Sequence, residues 1–140
     1  YNVPHGLANA VILPMVLKAY GEKIHKKLAR LAIAAGLADK NTPYDEAAER
    51  FISAIQDMKK RFGIGDYIPE IRETDVPKLA HYADKEANPL YPVPVLMNAA
   101  ELETFYYMLM PEPADPEEDL EESKEHVVGE GVTKHDRTGN

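Results

Sequence analysis

Between Tyr44 and Phe62 the apolar residues Tyr44, Ala47, Ala48, Phe51, Ile52, Ile55, Met58 and Phe62 recur at steps of three and four. That spacing gathers side chains on one face of an α-helix. Ahead of them Thr42, Pro43 and Asp45 spell a helix start, with a hydroxyl cap, a proline at the first helical position and an acid in the first turn. Gly63 and Gly65 end it. No segment before Pro111 shows the period-two alternation of a strand. The chain is therefore expected to be all-α.

Four further helices complete a bundle of about five. The first covers about residues 6–20 and is apolar nearly all round, as in a helix buried on most sides, with Pro14 expected to kink or break it. The second, about residues 22–35, carries Ile24, Leu28, Leu31, Ala32 and Ala35 on one stripe, with Lys23, Lys26, Lys27 and Arg30 off it. Gly36 suits its left-handed stop. A fourth starts near Thr74 or Asp75, keeps Val76, Leu79, Ala80 and Ala83 together and tolerates Pro77 in its first turn. Asn88, Pro89, Pro92 and Pro94 then predict a rigid extended loop. The fifth opens on Asn98 and Glu101, a capping-box pattern, and carries Leu102, Phe105, Tyr106, Leu109 and Met110 before Pro111 stops it.

The 140 residues allow one globular unit, and its charge is unevenly spread. From Pro111 onward there are ten acidic residues against three basic ones, so −7 of the chain's −8 sits in a tail and −1 remains for residues 1–110. Residues 1–110 are expected to form the helical domain and residues 111–140 an acidic, disordered tail, too poor in apolar side chains to offset the entropy of ordering. A nearly neutral body argues against nucleic-acid binding, which needs clustered cations to displace counterions from phosphates. Cysteine is absent, which removes disulfides, thiolate metal sites and thiol nucleophiles and fits a cytoplasmic location. The longest apolar stretch, residues 7–17, is interrupted by Asn9 and Pro14 and falls short of the about 20 residues a bilayer needs, so no membrane association is expected. The sequence opens at Tyr1 without methionine or signal-like segment, which suggests a fragment or an upstream part removed.

Metal or acid–base chemistry would have to start from His5, His25, His81, His126 or His135. No two of these are closer than nine residues, so no single helix offers the pair four apart that a metal site favours. His25 lies among lysines and reads as a solvated side chain, and His81 stands near Asp84 as a surface pair. The two tail histidines read as spectators. His5 differs in setting, because Pro4 and Gly6 fix a turn that places its imidazole just ahead of an apolar helix. From the residues alone a helix-capping or turn-filling role is the simpler reading, and a ligand role needs partners from elsewhere.

The stretch Val3-Pro4-His5-Gly6-Leu7-Ala8-Asn9-Ala10-Val11-Ile12-Leu13-Pro14 strongly resembles the second signature of the iron-containing (group III) alcohol dehydrogenases. Weaker similarities follow in Phe62-Gly63-Ile64, Asp75-Val76-Pro77, Asn88-Pro89 and Val93-Pro94, so that the likeness spans about residues 1–110. It implies the C-terminal part of the helical domain of the dehydroquinate synthase-like, iron alcohol dehydrogenase fold. It further implies a parent enzyme with an N-terminal dinucleotide-binding domain and a cleft between the two domains. There Fe(II), or zinc in some members, is held by one aspartate and three histidines and polarises an alcohol oxygen while hydride passes to or from NAD(P). By this resemblance His5 is one of the four metal ligands.

The remainder of that machinery is not visible in the sequence. There is no glycine-rich phosphate loop, since Gly129-Glu130-Gly131 lies in the tail without a flanking strand. The expectation is thus the C-terminal fragment of an NAD(P)-linked alcohol or aldehyde oxidoreductase, inactive and binding no cofactor alone, whose partners are the missing N-terminal part and a small alcohol or aldehyde. The alternative from a different class is a non-catalytic helical interaction protein derived from that domain. Loss of upstream helices would bare Val11, Ile12, Met15 and Val16 and favour a marginal monomer or a homodimer burying the first helix. The aromatic group Phe105, Tyr106, Tyr107 with Met108 and Met110 reads as a core face. Residues 83–94 read as a connector that could line the parent's cleft. Carboxylate pairs such as Glu101 and Glu103 show no pattern of burial that would suit acid–base catalysis.

Overall fold

The computed structural model describes residues 2–87 and 92–112. Its elements are α1 (His5–Tyr20), α2 (Glu22–Ala34), α3 (Tyr44–Arg61), a 3₁₀ turn (Glu73–Asp75), α4 (Val76–Ala87) and α5 (Ala99–Met108). The expected all-α fold of five helices is what forms, with no strand among the described residues. The acidic tail beyond Glu112 lies outside the described residues, as do Asn88 and Pro89 of the expected extended loop. No helix among the described residues is long and apolar enough to cross a membrane.

Of the kink or break expected at Pro14, the break does not occur. The helix runs through it and its ring is buried. Proline deprives the Ala10 carbonyl of the amide four residues on, and burial of the ring against neighbouring elements offsets that loss. A single residue, Gly21, then joins α1 to α2. Its φ of 54° and ψ of −140° lie in a region that side chains disfavour, and its N–H donates to the Lys18 carbonyl at 3.1 Å.

The ends of α2 and α3 close alike. Beyond α2, Gly36 N–H donates to Ile33 O at 3.1 Å and Leu37 N–H to Ala32 O at 2.8 Å. Beyond α3, Gly63 N–H donates to Lys60 O at 3.1 Å and Ile64 N–H to Lys59 O at 2.9 Å. Both are Schellman motifs, which satisfy carbonyls the last turn leaves open. The start of α3 departs from expectation: Pro43 occupies the N-cap position and Thr42 gives no cap. Its hydroxyl instead accepts from Asp39 N–H at 3.1 Å inside the preceding turn, where Asn41 N–H also reaches Asp39 Oδ1 at 2.7 Å. Asp45 and Glu46 in the first turn and Lys59, Lys60 and Arg61 in the last complement the helix dipole.

Packing divides into two regions. Along the α2–α3 pair, Ile24, Leu28, Ala48 and Ile52 form one buried cluster and Ala29, Ala32 and Ala47 a second. Alanines line both sides of this seam, and the seam is shifted from the stripe read in the sequence. Ala29 is buried, while Leu31, Tyr44, Met58 and Phe62 at the edges are exposed. The other region joins α1 to the C-terminal half: Val11 packs with Ile68, Ile71, Val76 and Leu109. Ile68 N–H donates to Leu109 O at 2.7 Å, which ties the segment after α3 to the end of α5.

Val11 is consequently buried, and Ile12, Met15 and Val16 are half-buried rather than bare. The large apolar side chains that α1 exposes are Leu7 and Leu13. Residues after α5 seal this region from the far side. Asn98 and Glu101 form the expected capping box, Glu101 N–H donating to Asn98 Oδ1 at 3.0 Å and Asn98 N–H to Glu101 Oε2 at 2.8 Å. The aromatic group expected as one core face splits: Phe105, Tyr106 and Met110 are half-buried and Tyr107 and Met108 exposed.

Candidate functional site

His5 is the first residue of α1 and its side chain is exposed. Pro4 before it sits at φ −57° and ψ 132°, and its carbonyl accepts from Ala8 N–H at 3.1 Å, so the first turn closes directly behind the imidazole. The next turn carries Val11 in the core, which anchors this end of the helix. His5 is therefore an accessible nitrogen donor on a fixed backbone. Its surroundings are open: Gly6, Leu7 and Asn9 are exposed, and a Cβ on Gly6 would meet nothing within 4 Å.

No group of three or more histidine, aspartate or glutamate residues able to hold a metal forms among the described residues. His5 thus belongs to no group of three or more donors among the described residues, so the described donors do not by themselves complete the shell of a tetrahedral or octahedral ion. The other described histidines have local roles. His81 is exposed, its ring centroid 6.2 Å from that of Tyr82. His25 is half-buried. Its helical position turns it from the lysine stripe toward the side of Ile24 and Leu28, which corrects its reading as a fully solvated residue.

The charge arrangement that sequence reading missed is Lys59. Its side chain is only 6% exposed, and its ammonium donates to Asp66 Oδ1 at 2.8 Å and to the Val11 carbonyl at 3.5 Å. One side chain of α3 thereby holds both α1 and the segment beyond the α3 stop. The hydrogen bond from Lys59, then its charge, hold the Asp66 carboxyl below the usual carboxylate range. A signal existed: Lys59 is seven residues after buried Ile52 and four after Ile55, a cation placed on an apolar stripe. A cavity of about 200 Å³ borders this pair, lined also by Pro14, Met15 and Met108, and His5 is not among its lining residues. Elsewhere burial, with Glu86 contributing, pushes the Tyr106 phenol up.

The comparisons with known proteins agree on one lineage. Residues 1–110 match the model of the Fe-containing alcohol dehydrogenase family, C-terminal. The lactaldehyde reductase of Escherichia coli (strain K12) is 29% identical over 85 residues, 59% of this chain and 22% of that protein. The 1,3-propanediol dehydrogenase of Klebsiella pneumoniae is 33% identical over 90 residues, 63% of this chain and 23% of that protein. A crystal structure of 1,3-propanediol oxidoreductase superposes with a TM-score of 0.69 at 30% identity, covering 79% of this chain and 29% of its own. The chain spans less than a quarter of the length of these curated relatives. With five helices in the expected order and the family match running through all of them, this chain belongs to the iron-containing alcohol dehydrogenase family, as its C-terminal helical part.

Proposed function

We propose that this chain furnishes the C-terminal helical part of an NAD(P)-linked oxidoreductase acting on small alcohols or aldehydes, and that His5 is one of its metal ligands. The observation that carries the reading is the His5 motif itself. An exposed imidazole stands on a helix start made rigid by Pro4 and by the buried Val11, inside the region that matches the family. When bound, a divalent iron or zinc supplies Lewis-acid polarisation of the alcohol oxygen. The contribution of this chain is to fix one ligand and to bury the apolar body of α1 behind it. Residues 1–110 act as the domain and residues 111–140 as an appended tail.

One imidazole does not retain a catalytic metal, so activity requires polypeptide beyond this chain, bearing the other ligands and a nucleotide-binding domain. The names of the relatives, lactaldehyde reductase and 1,3-propanediol dehydrogenase, support a small hydroxylated substrate. The test assays the purified chain with NADH or NADPH, an aldehyde panel and added Fe(II) or Zn(II). No turnover is expected. Co-expression with the nucleotide-binding part of a relative is expected to restore metal-dependent reduction, and His5→Ala to abolish it together with metal retention. Steady turnover by the isolated chain, or a His5→Ala complex that keeps its metal, defeats the proposal.

A further inference from the structure

Among the described helices α2 carries the most exposed cations. Lys23, Lys26, Lys27 and Arg30 are all exposed, and their steps of three, one and three place them on one helical face, opposite Ile24, Leu28 and Ala32. None of the four enters an ion pair or side-chain hydrogen bond among the described residues, whereas Arg50 is answered by Glu46, Lys59 by Asp66 and Arg72 by Asp75. The only acid on α2 is Glu22 at its start. Leu31 and Ile33, both exposed, flank the stripe.

The same chain carries the complementary charge. Between residues 115 and 125 stand Asp115, Glu117, Glu118, Asp119, Glu121, Glu122 and Glu125, against Lys124 alone, with Leu120 at the centre of the run. We propose that this acidic segment docks on the basic face of α2 in its own chain and covers it. The later residues of the run have the greatest reach: residues 120–125 lie eight to thirteen positions beyond Glu112, up to about 26 to 45 Å of extended chain, comparable with the width of a folded body whose radius of gyration is about 13 Å. Each exposed ion pair is weak and screened by salt. Tethering presents the acids at an effective concentration of order millimolar, which favours the segment of the same chain over a second copy or a free polyanion at micromolar levels.

The experiment uses the full chain as an equal mixture of ¹⁴N- and ¹⁵N-labelled protein, cross-linked with a carbodiimide at low salt and read by mass spectrometry. Amide links from Lys23, Lys26 and Lys27 to residues 115–125 are expected within one isotope. They should exceed links from the equally exposed Lys40, Lys60, Lys78 and Lys85, and disappear in 1 M NaCl. Links spread evenly over all lysines overturn the proposal, and links of mixed isotope overturn it in favour of a second copy. A second readout uses heparin as a probe polyanion. The full-length variant Glu117→Gln, Glu118→Gln, Asp119→Asn, Glu121→Gln, Glu122→Gln should bind heparin several-fold more tightly than the parent chain, and the gain should vanish when Lys23, Lys26, Lys27 and Arg30 are also changed to Gln. Equal affinity of parent and tail variant refutes docking.

Discussion

Replacing either partner of the Lys59–Asp66 pair gives unequal losses, and the inequality follows from burial. The Lys59 side chain is 6% exposed and that of Asp66 75%. Lys59→Met keeps most of the buried stem and removes the charge, leaving a carboxylate that water already solvates. Its cost is one charge-assisted hydrogen bond made at the surface, about 1 kcal/mol. Asp66→Asn leaves the ammonium inside with a neutral partner and the Val11 carbonyl at 3.5 Å, for about 2 kcal/mol. Lys59→Ala removes several buried methylenes beside an existing cavity, for about 3 kcal/mol. Urea unfolding of the full chain at pH 7 measures all three. The pH dependence has a definite sign. Because the folded Asp66 carboxyl lies below its unfolded value, its contribution is complete above the unfolded pKa and is lost as pH falls through the lowered folded value. The stability gap between the parent chain and Asp66→Asn should therefore narrow on acidification below about pH 4. A Lys59→Met variant less stable than Asp66→Asn at pH 7 would refute the reasoning.

Other substitutions probe separate features. Gly21→Ala places a side chain at φ 54° and ψ −140° and should cost about 1 to 3 kcal/mol, read as a lower urea midpoint by circular dichroism. Asn98→Ala removes half of the capping box and should cost about 1 kcal/mol, with faster amide exchange at Glu101 and Leu102 while α2 and α3 are unchanged. Leu109→Ala empties a site that is 1% exposed and should cost about 2 to 5 kcal/mol in the same unfolding assay.

Local chemistry made much of this fold legible. Gly36 and Gly63 stop their helices, Asn98 and Glu101 open α5, and Pro77 stands in the first turn of α4, because each of these depends on a few adjacent residues. What escaped depended on tertiary surroundings. Pro14 is a breaker by local rules, yet burial carries the helix through it. Leu31 and Ala29 exchange roles because the face that α2 turns to α3 runs through Leu28, Ala29 and Ala32 and leaves Leu31 outside it. Lys59 looks like a surface lysine until Asp66 and the Val11 carbonyl come to it through the fold. Of the candidate site, the place of His5 at the head of a helix was readable from Pro4 and Gly6. Its companions were not, since no group of three or more donors forms around it among the described residues.

The tie between Val11 and Leu109 also sets an order of assembly. α2 and α3 are neighbours in sequence and can close on each other early, at little cost in loop entropy. Val11 must wait for Ile68, Ile71, Val76 and Leu109, the last of them 98 positions downstream. During synthesis the Val11 cluster stays incomplete until Leu109 has left the ribosome. A ribosome that stops before residue 109 releases a chain whose α1 keeps its tie to α3 through Lys59 but has lost the Leu109 side of the Val11 cluster, and such a product should be cut more readily around α1.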